Sequence, residues 1–175
     1  MADKAPDAIA LLKADHRTVE ALFETFEKAT PARQAAIAKQ ICTALVIHTM
    51  IEEELFYPAL QDKIDDDVLD EAYVEHDGAK MLIAQIIAGA PGDDFYEAKV
   101  SVLSEEIHHH VREEERPKEG MFAQARATDL DLQALGEAMA ARKKELEARF
   151  KAEGLPPPMM RTVKPAAVEL GEPVA

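Results

Sequence analysis

The prolines of this 175-residue chain fall where helices have to start or stop. A proline inside a helix removes a hydrogen bond and clashes with the preceding turn, so its position marks a boundary. Pro6 precedes the first helical pattern, and Thr30-Pro31 reads as an N-cap followed by Pro at the first helical position. Pro58 closes or kinks a second helix, Gly89-Ala90-Pro91-Gly92 separates a third from a fourth, and Pro117 with Gly120 interrupts the helical pattern beyond Glu115. Four helices are predicted, over 7–28, 31–58, 66–88 and 93–116. Segments of about 20 to 28 residues on short connections fit an all-α, up-and-down antiparallel four-helix bundle. With only 7 glycines in a chain rich in Ala, Leu, Glu, Lys and Gln, local preference favours helix nearly throughout and excludes a β-sandwich or barrel.

The bundle is expected to occupy residues 1–127. Residues 128–153 form an additional C-terminal amphipathic helix, striped by Leu132, Leu135, Met139, Leu146 and Phe150 and packed outside the bundle. Residues 154–175, with Pro156-Pro157-Pro158, Pro165 and Pro173, read as an extended or disordered Pro-rich tail, an arm or a strap on a neighbour's surface. Lys and Arg number 20 against 34 Asp and Glu, and the net charge of −14 repels phosphate backbones and anionic lipid alike. Neither nucleic acid nor a membrane is expected as a partner. The longest apolar run, Met81 to Ala90, contains Gln85 and falls short of the roughly 18 to 20 residues of a membrane span. The single cysteine, Cys42, has no disulfide partner within the chain and reads as a core filler. The opening MADKAP carries acid and Pro where a signal peptide would be apolar, so a cytoplasmic location is expected.

The six histidines carry the chemistry. On the first helix the inward stripe runs Ile9, Leu12, His16, Val19, Phe23, Phe26, and on the second Ile41, Leu45, His48, Glu52, Leu55. The third gives Leu69, Tyr73, His76, Lys80, Ile83, Ile87, and the fourth Val100, Leu103, Ile107, His110, Glu114. His108 falls instead on a solvated face, and His109 flanks the seam. An ionised carboxylate buried without a partner costs several kcal/mol. Residues at i and i+4 lie about 6 Å apart on one helical face, so His48 with Glu52 and His110 with Glu114 can each aim a nitrogen and an oxygen at a shared centre. Four imidazoles and two carboxylates exceed one tetrahedral zinc site and suit two metal ions bridged by carboxylates inside a bundle. A donor set of imidazole and carboxylate without thiolate favours iron or manganese.

The segments LLKADHRTVEALF around His16, HTMIEEELFYPAL from His48, VEHDGAK around His76 and HHVREEE ending in Glu115 spell His, H-x-x-x-E, His, H-x-x-x-E in order. Over about residues 9–125 the chain resembles haemerythrin-like proteins of the HHE cation-binding group. That resemblance implies two non-haem iron ions, a di-iron centre that takes O₂ or an oxo or hydroxo bridge. His16, His48, His76 and His110 would be terminal ligands, and Glu52 and Glu114 the bridging carboxylates. The family's oxygen carriers place a second histidine one turn after the first on the third helix, where this chain has Lys80. One iron should then lack a nitrogen ligand, with Lys80 snorkelling or pairing with a carboxylate such as Glu114 or Glu115. The carriers also use an aspartate five residues after the fourth-helix histidine, which makes Glu115 the alternative bridge. Tyr57 and Tyr73 could reach the centre as hydrogen-bond donors or radical sites, but a Tyr on an amphipathic helix ordinarily packs with its hydroxyl at the rim, and that is expected of both.

The first functional reading is a soluble protein binding O₂ or a related small ligand, peroxide or nitric oxide, in sensing, storage or stress defence. The second is a di-iron enzyme decomposing peroxide or acting as a weak oxidase. The third is a metal-free structural or interaction bundle that uses the fifth helix and tail.

Overall fold

A computed structural model describes residues 6–163 of the chain. Among them there is no strand, and every regular element is helical. Helix α1 (Ala8–Glu27) starts at Asp7, whose Oδ1 accepts the amide of Ala10 at 2.8 Å. Helix α2 (Pro31–Ile51) opens with Pro31 in its first turn, passes into a π-helical turn at Glu52–Phe56 and finishes as α3 (Tyr57–Leu60). The wide turn ends where Pro58, which has no N–H, cannot return a bond to the preceding turn. The amide of Tyr57 bonds to the carbonyl of Glu52 instead. The kink expected at Pro58 is therefore a widened turn before it, and it buries Glu52, Glu53, Phe56 and Tyr57 together.

Helix α4 (Asp66–Ala88) is capped by Asp65. Helix α5 (Tyr96–Glu115) begins later than the expected residue 93. Asp93 Oδ2 accepts the amide of Ala90, and Phe95 takes a φ of 66°, so a right-handed helix can start only beyond it. After Pro117 the chain doubles back into a short α6 (Met121–Ala127). That reversal needs Gly120, because a Cβ there would lie 2.6 Å from the nitrogen of Arg116 and the carbonyl oxygen of Glu113. Helix α7 (Leu132–Glu153) is capped by Asp131, whose Oδ1 accepts the amides of Gln133 and Ala134.

Packing follows the chain: α1 lies on α2, α2 on α4, α4 on α5 and α5 back on α1, closing a ring of four. Its core is filled by side chains such as Leu12, Ile41, Leu45, Ile83 and Leu103. Helix α7 packs on the outside of α1 and α2. The stretch Pro31–Leu60 is long and apolar enough to cross a membrane by length and composition. Here it is the central helix of the bundle, its apolar residues packed against the other helices and His48, Glu52 and Glu53 buried along it. Beyond α7, residues 154–163 have no helical or strand structure and lie on this chain's own α2–α4 face, so this part of the expected strap does not borrow a neighbour. Residues 164–175 of the expected tail lie outside the described residues.

Candidate metal centre

The ring of helices brings His16, His48, Glu52, His76, His110 and Glu114 to one place, all of them buried. Two groups share Glu52. His16, His48, Glu52 and Glu114 offer ligand atoms within 4.8 Å of one another, and Glu52, His76 and His110 form a second such set. His16 Nε2 lies 3.2 Å from His48 Nε2, and His76 Nε2 lies 3.2 Å from His110 Nε2. Glu52 Oε2 reaches His48 Nε2 at 3.2 Å and His76 Nε2 at 3.4 Å. Glu114 places Oε2 3.2 Å from His16 Nε2 and Oε1 3.6 Å from His110 Nε2. Each carboxylate thus spans from one pair of imidazoles to the other.

The opposite nitrogens of the four rings each face a carboxylate. His16 Nδ1 is 2.9 Å from Glu115 Oε1, His76 Nδ1 3.0 Å from Glu53 Oε1, and His110 Nδ1 2.7 Å from Glu75 Oε2. His48 Nδ1 is 3.7 Å from Asp15 Oδ2, at ion-pair range. The pattern runs around the ring: α5 supports the histidine of α1, α1 that of α2, α2 that of α4 and α4 that of α5. Each of these carboxylates is also the chain neighbour of an inward residue: Asp15 of His16, Glu53 of Glu52, Glu75 of His76 and Glu115 of Glu114. A carboxylate on Nδ1–H fixes the tautomer and turns the Nε2 lone pair inward.

Burial sets the charges. It pushes the pKa of His48 down and that of His76 to about 4, against the pull of their carboxylates. Burial also lowers His110, but Glu114 and Glu75 overcome it and hold the ring above its ordinary value. Glu52 is raised well above the carboxylate range by burial and by Glu114, whereas the histidines around Glu114 outweigh its burial and lower it. Burial and nearby negative charge, that of Glu52 first, keep the Tyr57 hydroxyl a phenol.

A metal answers what the side chains leave open. Both oxygens of Glu52 and Oε2 of Glu114 are buried with no hydrogen-bond partner, and paired imidazole nitrogens face each other at hydrogen-bond range. These are lone pairs aimed at common points, and the residues fit two cations.

Three expectations need correction. Glu115 is not an alternative bridge: its Oε1 stands behind His16, and Lys13 and Arg17 cover it from outside. Lys80 pairs with carboxylates as expected, but with neither Glu114 nor Glu115. It is buried, and its Nζ donates to Glu53 Oε1 at 2.6 Å and Asp77 Oδ1 at 3.1 Å. Tyr57 is not rim packing: its ring stacks on His76, and its hydroxyl lies 3.2 Å from His76 Nε2 and donates to Glu114 Oε1 at 3.3 Å. Tyr73, half-buried, packs edge-on against Tyr57. His108 and His109 stay outside, His108 on the carbonyl of Ser104 and His109 near Glu75.

Sequence reasoning passed over Asp15, Glu53 and Glu75. Their only signal was adjacency to an inward residue, which stripe analysis reads as solvated. Helix α6 contributes Phe122, stacked on His16 at 5.8 Å and 10°. A cleft of about 390 Å³ is lined by Glu75, His110, Glu113, Glu114 and, from α6, Met121.

A DNA nickase of Nostoc sp. (strain PCC 7120 / SAG 25.82 / UTEX 2576) is 29% identical over 106 residues, which make up 60% of this chain and 30% of that protein. The crystal structure of a hemerythrin HHE cation-binding-domain protein from Mycobacterium kansasii superposes with a TM-score of 0.70 at 24% identity, covering 86% of this chain and 95% of that one, and so shares the fold. The model of the Hemerythrin HHE cation binding domain matches residues 7–117, which take in all six converging side chains. With that match spanning most of its length and the His and Glu cluster at its centre, the chain belongs to the haemerythrin HHE cation-binding family.

Proposed function

We propose that this protein holds two iron-class metal ions between α1, α2, α4 and α5 and binds O₂, or a related small ligand such as peroxide or nitric oxide, at that centre. The observation that carries the reading is the set of unpartnered carboxylate oxygens of Glu52 and Glu114 among four inward imidazole nitrogens. His16 and His48 would hold one ion and His76 and His110 the other, with Glu52 and Glu114 reaching toward both. A reduced metal pair supplies electrons to O₂.

The chain's own residues supply the rest. Outer carboxylates hold the imidazoles of His16, His76 and His110, and Asp15 stands at ion-pair range of His48. Phe122 and Phe56, in edge contact with each other, keep one side of the centre apolar and dry. Tyr57 keeps a phenolic proton between His76 and Glu114, where a bound ligand could accept it. The cleft on the His110 and Glu114 side admits a small molecule. DNA cleavage does not follow from the nickase likeness, since this chain spans 30% of that protein and carries a net charge of −14.

A second reading, peroxide decomposition, is favoured by the Tyr57 hydroxyl, a proton donor placed between His76 Nε2 and Glu114 Oε1. Metal analysis and the visible spectrum of the anaerobically reduced protein, before and after air, separate the readings. Two ions per chain with a stable, reversible oxygenated band supports binding, and rapid bleaching to a ferric product supports oxidase chemistry. One ion or none per chain after full reconstitution would sink both.

A further inference from the structure

The segment beyond α7 is held by two buried carboxylates next to the centre. Asp77, fully buried on α4, accepts the backbone amides of Arg161 at 2.9 Å, Thr162 at 2.6 Å and Val163 at 3.0 Å, and the Thr162 hydroxyl at 2.8 Å. Three successive N–H groups wrapped around one carboxylate make an anion-binding nest. The Arg161 guanidinium donates from Nε to Glu53 Oε2 at 2.6 Å and from Nη2 to the Glu53 carbonyl at 3.3 Å. The other oxygen of Glu53 is the one that faces His76 Nδ1 and Lys80 Nζ. Arg161 also lies over the ring of Tyr73, which packs on Tyr57, which stacks on His76. Two chains of contact therefore run from one arginine to one imidazole.

The charges balance only with the strap in place. Glu53 and Asp77 carry two negative charges, and Lys80 and Arg161 two positive ones. Undocking Arg161 leaves two buried carboxylates to one ammonium, with Glu53 free to turn toward Lys80 and away from His76. Leu155 packs against the core, but beyond it the segment is exposed or half-buried. Met159 is 82% exposed and the Arg161 side chain 47% exposed, so the strap belongs to the least stable part of the molecule.

We propose that Arg161–Val163 is a positioning clamp for the second half of the centre: docked on Asp77 and Glu53, it holds Glu53 against His76 and keeps Lys80 away from the ligand set Glu52, His76 and His110. The proposal rests on the two-metal reading above. Because the clamp acts through His76, it raises affinity for the ion on that side and leaves the His16 and His48 side alone. By reciprocity, a bound ion tightens the clamp by the same factor.

Anaerobic titration with Fe(II) tests this on the full chain. In Arg161→Ala, the weaker of the two binding steps should lose about 10- to 100-fold in affinity, the range for lost outer-shell support, while the other step and the helical circular dichroism stay as in the parent. Arg161→Lys, which keeps the charge but not the forked geometry, should fall between them. A second measurement needs no variant: trypsin should cut after Arg161 at least about tenfold more slowly in the Fe(II)-loaded chain than in the metal-free chain. Parental affinities for both ions in Arg161→Ala, or cleavage insensitive to metal, overturn the clamp while leaving the two-metal reading intact. A parent chain that takes up fewer than two ions overturns that reading and the clamp with it.

Discussion

His108 and His110 sit two residues apart on one helix, yet only His110 reaches the interior, 4% exposed among Glu75, His76 and Glu114. His110→Ala should therefore lose the ion on its side, whereas His108→Ala and His109→Ala should keep the parental metal content, as metal analysis of the three purified variants would show. The ligand candidates were legible because a period of 3.6 residues puts one histidine of each helix on a seam of Leu, Ile and Val. The roles of Tyr57 and Lys80 were not. Periodicity says which face a side chain shares but not how far its tip reaches, and each of these spans the interior to a group on another helix. For Tyr57 the consequence is testable without disturbing packing. Tyr57→Phe keeps the ring on His76 and removes only the hydroxyl, so metal content should hold and stability change by about 1 kcal/mol or less. Peroxide turnover should fall by about 10²-fold, the lower end for a positioned proton donor. Unchanged turnover would show that the hydroxyl is only a structural tie.

The elements that escape sequence reading are those where the backbone leaves the regular helix. The π turn at Glu52–Phe56 turns Glu53 inward, and a regular 3.6-residue repeat continued through this stretch hides it. Pro58 is its only outward sign, and by itself a proline reads as a helix end. The short α6 is equally hidden, since seven residues show too little of a stripe to identify. Its position depends on Gly120, where a Cβ would meet two backbone atoms at 2.6 Å that cannot swing aside. Gly120→Ala should cost about 1–3 kcal/mol in denaturant unfolding, the usual range for an overpacked site, and should loosen Phe122 from His16. An unfolding midpoint equal to the parent's would mean that the reversal after Pro117 relaxes without strain.

Across the whole molecule the six buried His and Glu side chains at the centre tie stability to pH and, on the proposed function, to metal. In the metal-free chain burial lowers the pKa of His76 to about 4, below the ordinary value of about 6.5 for an unfolded chain. A folded-state value below the unfolded one means that the contribution is complete above about pH 6.5 and is lost as pH falls through about 4. That shift is worth about 3 kcal/mol, and the lowered Asp15, Glu53 and Asp77 act in the same direction. Glu52 and His110, both raised, act oppositely, losing their contributions as pH rises. Melting in chelator should show the midpoint falling from pH 7 to pH 4, and a flat profile would contradict a buried neutral His76. At pH 7, free metal at a thousand times its dissociation constant should add about 4 kcal/mol, and identical midpoints with and without chelator would place the site outside the cooperative core. The two halves of the bundle repeat one plan, a histidine and then an H-x-x-x-E, but they are finished differently. Phe122 lies flat on His16, and Tyr57 lies on His76. One face of the centre meets hydrocarbon and the other a hydroxyl, so the two positions proposed for metal would never be interchangeable, and a pair of unlike ions would sort by side.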